Sequence, residues 1–320
     1  MRRIVFLFAL LFVITPLVGE AALIPPINET VSLEVSPKYP KPGDQMTFTV
    51  YSSGATESFS YVWEVNGKTA AQGVGITSIT VPAGDIGSQT NVSIRLIGTS
   101  GITRGAASRT IRPADVDIVW EGKTYVPPFY EGLPLANASS PLTLVAIPLF
   151  GSNVSPSELT YAWSVDGRAL SNQSGRGKNS IETTPPLFNN PFTVTVRVAS
   201  LDGSTTAEQT TTIAPVTPFA TIYQYNPLSG ITFNHAASGI IPFKNNEVAF
   251  SAYPFFVSNP DQLSYEWDIN GTPFINTVAP RSITLRKESA NDEGVYSVQV
   301  SFKNAIKAFE SGTGFFSLQI

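Results

Sequence analysis

One seven-residue pattern occurs three times in this chain, and it constrains the fold more than any other feature. The copies are Tyr61-Val62-Trp63-Glu64-Val65-Asn66-Gly67, Tyr161-Ala162-Trp163-Ser164-Val165-Asp166-Gly167 and Tyr265-Glu266-Trp267-Asp268-Ile269-Asn270-Gly271. Their tryptophans are 100 and 104 residues apart, a period that matches one small β-sandwich per copy. Within each copy Tyr, Trp and Val/Ile alternate, so in a strand all three face the same side. That side is the expected core, which makes Trp63, Trp163 and Trp267 core residues. The Asn-Gly or Asp-Gly that follows supplies the positive φ of a tight hairpin, so each strand must turn back there.

The flanking sequence repeats as well. Short strands are predicted at Ser78–Val81, Asn179–Thr183 and Ser282–Leu285, followed by longer alternating runs such as Phe192–Val198 and Val92–Leu96. One apolar and one polar side per strand is the pattern of antiparallel sheets packed face to face. Leu144–Phe150 parallels Ala249–Phe256, which makes the second and third copies closer to each other than to the first. Proline-bearing stretches at Thr110–Ala114 and Thr212–Val216 mark the junctions, where restricted φ favours extended backbone. The expected organisation is a signal peptide at 1–21 and three sandwich domains at 22–113, 114–215 and 216–320, joined as a semi-rigid rod.

The signal peptide is expected from Met1-Arg2-Arg3, the apolar run Ile4–Val18 and the small residues around Ala21. That run, interrupted by Pro16, is shorter than a membrane span. The mature chain is therefore expected outside the cytoplasm, at the cell surface, in the periplasm or in the medium, without a stable span. With no Cys and one His, disulfides, thiolate nucleophiles and pairs of imidazoles are excluded. Each sandwich must then be held by its apolar core alone. A net charge of -4 offers no basic footprint for a phosphate backbone, so nucleic acid is not an expected partner.

The Trp strand closed by Asn/Asp-Gly, with a later run like Phe192–Val198 leading into Asp202-Gly203, resembles the PKD and bacterial immunoglobulin-like modules of exported prokaryotic proteins. The resemblance implies three tandem immunoglobulin-like antiparallel β-sandwiches, an all-β fold. In the third copy Asp292-Glu293-Gly294-Val295-Tyr296 matches the Asp-x-Gly-x-Tyr of the immunoglobulin tyrosine corner. That match implies that Tyr296 bonds back to nearby backbone and that Trp267 packs between the sheets. Val298 then stands where the second immunoglobulin cysteine would be.

No catalytic, cofactor or metal site is expected. His235 has no nucleophile or orienting acid at a suggestive spacing, and the acids are scattered, with Asp115 and Asp117 at a junction. Two aromatic stretches follow the junction prolines: Trp120, Tyr125, Phe129 and Tyr130, then Tyr223, Tyr225 and Phe233. As a candidate binding surface they would offer rings to sugars or to a partner's apolar groups. The competing expectation is that they pack against their own sandwich or the preceding one and stiffen the rod. The function expected from repetition without chemistry is a non-enzymatic spacer or adhesion module for envelope or surface proteins, with glycans as the alternative partner.

Overall fold

The computed structural model describes residues 30–53, 59–151, 154–287, 289 and 293–320. The expected signal peptide and the Asp292 end of the expected tyrosine corner lie outside the described residues. The fold is all-β. Among the described residues the only helical pieces are short 3-10 turns, and no helix is long and apolar enough to cross a membrane.

Among the described residues twenty-four strands form six sheets that enclose three buried clusters. The first unit contains β1 (Val31–Ser36), β2 (Gln45–Ser52), β3 (Ser60–Val65), β4 (Lys68–Val74), β5 (Ser78–Pro82), β6 (Thr90–Ile97) and β7 (Thr103–Ile111). Sheet β1-β2-β5 faces sheet β4-β3-β6-β7 across Phe48, Trp63 and Ile94. The second contains β8 (Asp115–Gly122), β9 (Leu142–Leu149), β10 (Thr160–Val165), β11 (Arg168–Ala169), β12 (Gly175–Arg176), β13 (Ser180–Thr183), β14 (Phe192–Ala199) and β15 (Thr206–Ile213). Its sheets are β8-β9-β13 and β11-β10-β14-β15, with β12 also on β10. This is the immunoglobulin-like strand order, with the fourth strand moved onto the sheet of the third.

The third unit contains β16 (Phe219–Asn226), β17 (Gly230–Ala236), β18 (Ile240–Pro242), β19 (Glu247–Phe255), β20 (Leu263–Ile269), β21 (Thr272–Phe274), β22 (Ser282–Arg286), β23 (Val295–Asn304) and β24 (Ser311–Gln319). It departs from the other two through residues 230–242. There β17 folds back on β16 as an added edge strand, and β18 crosses to pair parallel with β24. Neither strand is anticipated in the sequence reading, nor is the seven-residue β4, whose counterparts β11 and β21 have two and three residues.

The repeated motif occupies equivalent positions. Trp63, Trp163 and Trp267 are buried opposite Ile94, Val196 and Val300, and each indole N–H donates to a loop carbonyl, of Ile76 (2.8 Å), Lys178 (2.9 Å) and Pro280 (3.2 Å). An indole buried in this way removes 150–250 Å² from water, an upper bound of about 4–6 kcal/mol. At the hairpins Asn66, Asp166 and Asn270 have φ of 50, 47 and 50°, followed by glycines at 77, 74 and 82°. Their side-chain oxygens also accept from the backbone N–H of Asn91, Thr193 and Ser297, each at 2.8 Å. The Asn/Asp thus ties the turn to the neighbouring strand. Val298, at the position of the second immunoglobulin cysteine, is fully buried, and Tyr296 packs half-buried against the same core.

Tyr265 makes a testable exception to this satisfied core. Its hydroxyl is buried without a hydrogen-bond partner, and burial pushes the phenol up to about 12, against the pull of the Arg281 guanidinium beside its ring. A raised phenol keeps its proton in the folded chain while the unfolded chain loses it near pH 10. The contribution is therefore intact below pH 10 and falls as pH rises toward 12, by up to about 2 kcal/mol. Urea unfolding at pH 9 and pH 11.5 should show that loss together with those of Tyr125, Tyr161, Tyr223 and Tyr253, whose phenols burial also raises, and Tyr265→Phe should reduce the difference while costing little at pH 7.

Candidate functional site

Five of the candidate aromatics, Tyr125, Phe129, Tyr130, Tyr223 and Phe233, meet at the joint between the second and third units, where a long loop carries the first three. After β8 the chain runs through Pro127, Pro128 and Pro134 before β9, and Gly122 starts the loop where no side chain fits. A Cβ on Gly122 would lie 2.6 Å from the Leu135 carbonyl carbon. The Gly122 N–H donates to the Pro134 carbonyl (2.9 Å) and the Thr124 hydroxyl to that of Leu135 (2.8 Å), so the loop closes on itself.

Its outer arm then lies on the third unit. The Tyr125 N–H donates to the Val257 carbonyl (2.6 Å), and the Phe256 N–H donates back to Tyr125 (2.8 Å). Phe256 has a φ of 58°, an uncommon conformation for a bulky residue, and its carbonyl accepts from the side-chain amide of the buried Asn137. The Phe129 ring stacks on Phe233 (4.2 Å between centroids) and meets Tyr223 (5.2 Å) and Tyr253 (5.4 Å) edge-on, while Tyr130 meets Phe255 (5.5 Å) and Phe256 (5.9 Å). Such pairs add about 0.5–1.5 kcal/mol each beyond area burial.

The seven candidate rings therefore divide, with Phe233 stacked on Phe129 yet 41% exposed. Trp120 is half-buried against the core of its own unit, and Tyr125 against the core of the third. Phe129 and Tyr130 are half-buried in the joint, Tyr223 is buried there at 7% exposure, and Tyr225 is open at 41%. The expectation of packing on the own or preceding unit describes Trp120 and Tyr223. It does not describe Tyr125, Phe129 and Tyr130, which pack forward onto the following unit, because the proline-rich loop carries them past the end of their own sheet.

Behind the rings lies a residue with no signal in the local sequence. Glu310 has no exposed surface, yet it carries a carboxylate. Its Oε1 accepts from the Ser258 N–H (2.9 Å) and the Ser140 hydroxyl (3.3 Å). Its Oε2 accepts from the Ser258 hydroxyl (2.7 Å) and the Asn304 side-chain amide (3.0 Å). The Lys307 ammonium stands 3.6 Å away and also donates to the Ser139 carbonyl (3.0 Å). A buried charge is tolerated only when its lone pairs are filled in this way, and here one donor comes from the second unit. Short donors such as serine carry no local signal of this role in the sequence.

The first joint is different. Lys41 bonds to Asp115 (2.8 Å) and Gln209 (2.9 Å), and the Arg197 guanidinium lies 5.4 Å from the centre of the Tyr39 ring. Among the described residues no backbone hydrogen bond crosses it. His235 is exposed on the edge strand β17, and among the described residues no three acids or imidazoles gather as a metal site.

No protein-family model and no curated protein matches the chain. Among solved structures it is similar to the fibronectin(III)-like modules of Clostridium thermocellum CbhA, at 10% identity over 57% of this chain and 94% of that one, with a TM-score of 0.30. It is also similar to three N-terminal domains of the bacteriophage RB49 highly immunogenic outer capsid protein (13% identity, 91% and 99% covered, TM-score 0.26). A third is the central fibronectin-III array of RIM-binding protein (11% identity, 92% and 97% covered, TM-score 0.30). Likeness at these scores bears no weight, and the immunoglobulin-like sandwich rests on the sheet order of the chain itself.

Proposed function

We propose that the chain is an exported, non-enzymatic spacer or interaction module of the PKD-like or bacterial immunoglobulin-like kind, working at the cell surface or in the envelope. The observation that carries this reading is the joint between the second and third units. There the aromatic side chains and a buried carboxylate, groups that could have formed a site, are used on each other. A joint sealed in this way holds two sandwiches at a fixed angle, and the less tightly bonded first joint lets the leading sandwich adjust. Such a part positions other proteins by its length and stiffness, through edge strands and loops.

Fractionation of cells expressing a tagged chain, followed by protease treatment of intact cells, should place it outside the cytoplasmic membrane. Retention in the cytoplasm would overturn the reading. A neutral glycan array should stay blank; binding to neutral sugars that Tyr225→Ala or Phe233→Ala abolishes would transfer the function to the exposed rings of the third unit.

A further inference from the structure

The first joint holds a cleft that the spacer role does not use. It measures about 330 Å³ and runs between the first unit, at Lys38, Tyr39, Arg109, Thr110 and Arg112, and the Gly203–Thr206 turn of the second. Three cations line it in a chain with more acids than bases, and none of the three is paired with a carboxylate among the described residues. Arg109 donates to the Leu33 carbonyl (3.3 Å) and Arg112 to the Gln89 side chain (2.9 Å), neutral acceptors that leave both charges uncompensated. Of the neighbouring acids, Asp115 is paired with Lys41 and Glu208 with Arg197 (2.9 Å), whereas the exposed Asp202 accepts from the Ser200 hydroxyl (2.6 Å) and the Ser204 N–H (3.0 Å) of its own turn and keeps its charge. The remaining wall is made of the hydroxyl-bearing residues Thr110, Ser204 and Thr206.

Three cations without carboxylate partners, lining one cleft with hydroxyl-bearing residues and a tyrosine, are the chemistry that an acidic sugar would use. We propose that this cleft binds an acidic saccharide, its carboxylate or sulfate held by Lys38, Arg109 and Arg112 and its ring hydroxyls by Thr110, Ser204 and Thr206. Because the walls belong to different units, the bound saccharide would tighten the looser joint. This goes beyond the spacer role and uses none of the aromatic candidates.

The test is binding of the full mature chain to polyuronate and to sulfated oligosaccharides, in separate arms, with neutral oligosaccharides and inorganic sulfate as controls. Binding in at least one acidic arm is expected to weaken at least tenfold in Lys38→Gln/Arg112→Gln, at an exposed and a part-exposed position, and to stay unchanged in Lys244→Gln, exposed on the third unit. It should also weaken as salt is raised, as screened charge contacts do. Hydrogen exchange should slow at both 109–112 and 203–206 when the saccharide is bound. No binding in either acidic arm, equal binding of inorganic sulfate alone, or binding unaffected by the double substitution would overturn the proposal. These outcomes are independent of where the chain resides in the cell and of the Tyr225 and Phe233 results.

Discussion

Glu310→Ala is expected to separate the second and third units into pieces that unfold independently, at a cost of about 3 kcal/mol to the pair. The cost arises from what the carboxylate leaves behind. Ser258, Ser140 and Asn304 together direct four donors at its two oxygens, and all would face a void where water enters poorly. Each stranded buried donor costs about 1–3 kcal/mol, reduced where the hydroxyls can turn toward another acceptor. Lys307 would keep its bond to the Ser139 carbonyl but lose its counter-charge. Glu310→Gln keeps the size and one acceptor oxygen but turns an amide N–H₂ toward donors, so roughly half the loss is expected. Calorimetry of the intact chain should show one shared transition for these units in the native protein and two in Glu310→Ala, with the first unit's transition unmoved. A shared transition that survives the substitution would mean that the aromatic contacts and the hydrogen bonds of Tyr125 and Asn137 suffice to couple the units.

The contrast between this residue and the tryptophans shows what could be read from the chain. The repeated Tyr-x-Trp strand is legible because strand alternation is local: two residues of spacing set the buried face, and the Asn/Asp-Gly sets the turn. The role of the Asn or Asp was read only halfway. Its positive φ is a property of the turn itself, whereas the bond from its side chain to Asn91, Thr193 or Ser297 runs to a strand 25 to 27 residues away. Glu310 was not legible at all, since its donor at Ser140 is 170 residues distant and a lone acid followed by Ser and Gly reads as an exposed loop. The aromatic stretches were visible, but their direction was not. Whether Phe129 turns back or reaches forward depends on the path of a proline-rich loop around Gly122, which periodicity does not describe. In the same way, β17 and β18 arise within residues 227–246, which stand where the second unit has its loop between β8 and β9, and their pairing with β16 and β24 is not set by local spacing.

Truncation of the indoles is expected to give the largest single losses, and their pattern distinguishes the two joints. Trp63→Ala and Trp163→Ala should each cost about 3–5 kcal/mol, the usual range for emptying a large aromatic site, because each ring is fully enclosed and its N–H satisfies a loop carbonyl. The Phe variants, which leave those carbonyls of Ile76 and Lys178 without the indole donor, should lose roughly 1–3 kcal/mol less than the Ala variants. The consequence for the neighbouring unit should differ. The first unit is joined to the second mainly by the Lys41 contacts and the Tyr39–Arg197 pair, so Trp63→Ala should lower protection from hydrogen exchange within 31–111 and leave the rest unchanged. The second unit shares Tyr125, Phe129, Asn137 and the Glu310 network with the third, so Trp163→Ala should also lower protection at Phe255–Ser258 and around Glu310. Equal spread from both substitutions would mean that the first joint couples as strongly as the second, and a rod adjustable at its first joint and stiff at its second would have to be replaced by a uniformly rigid one.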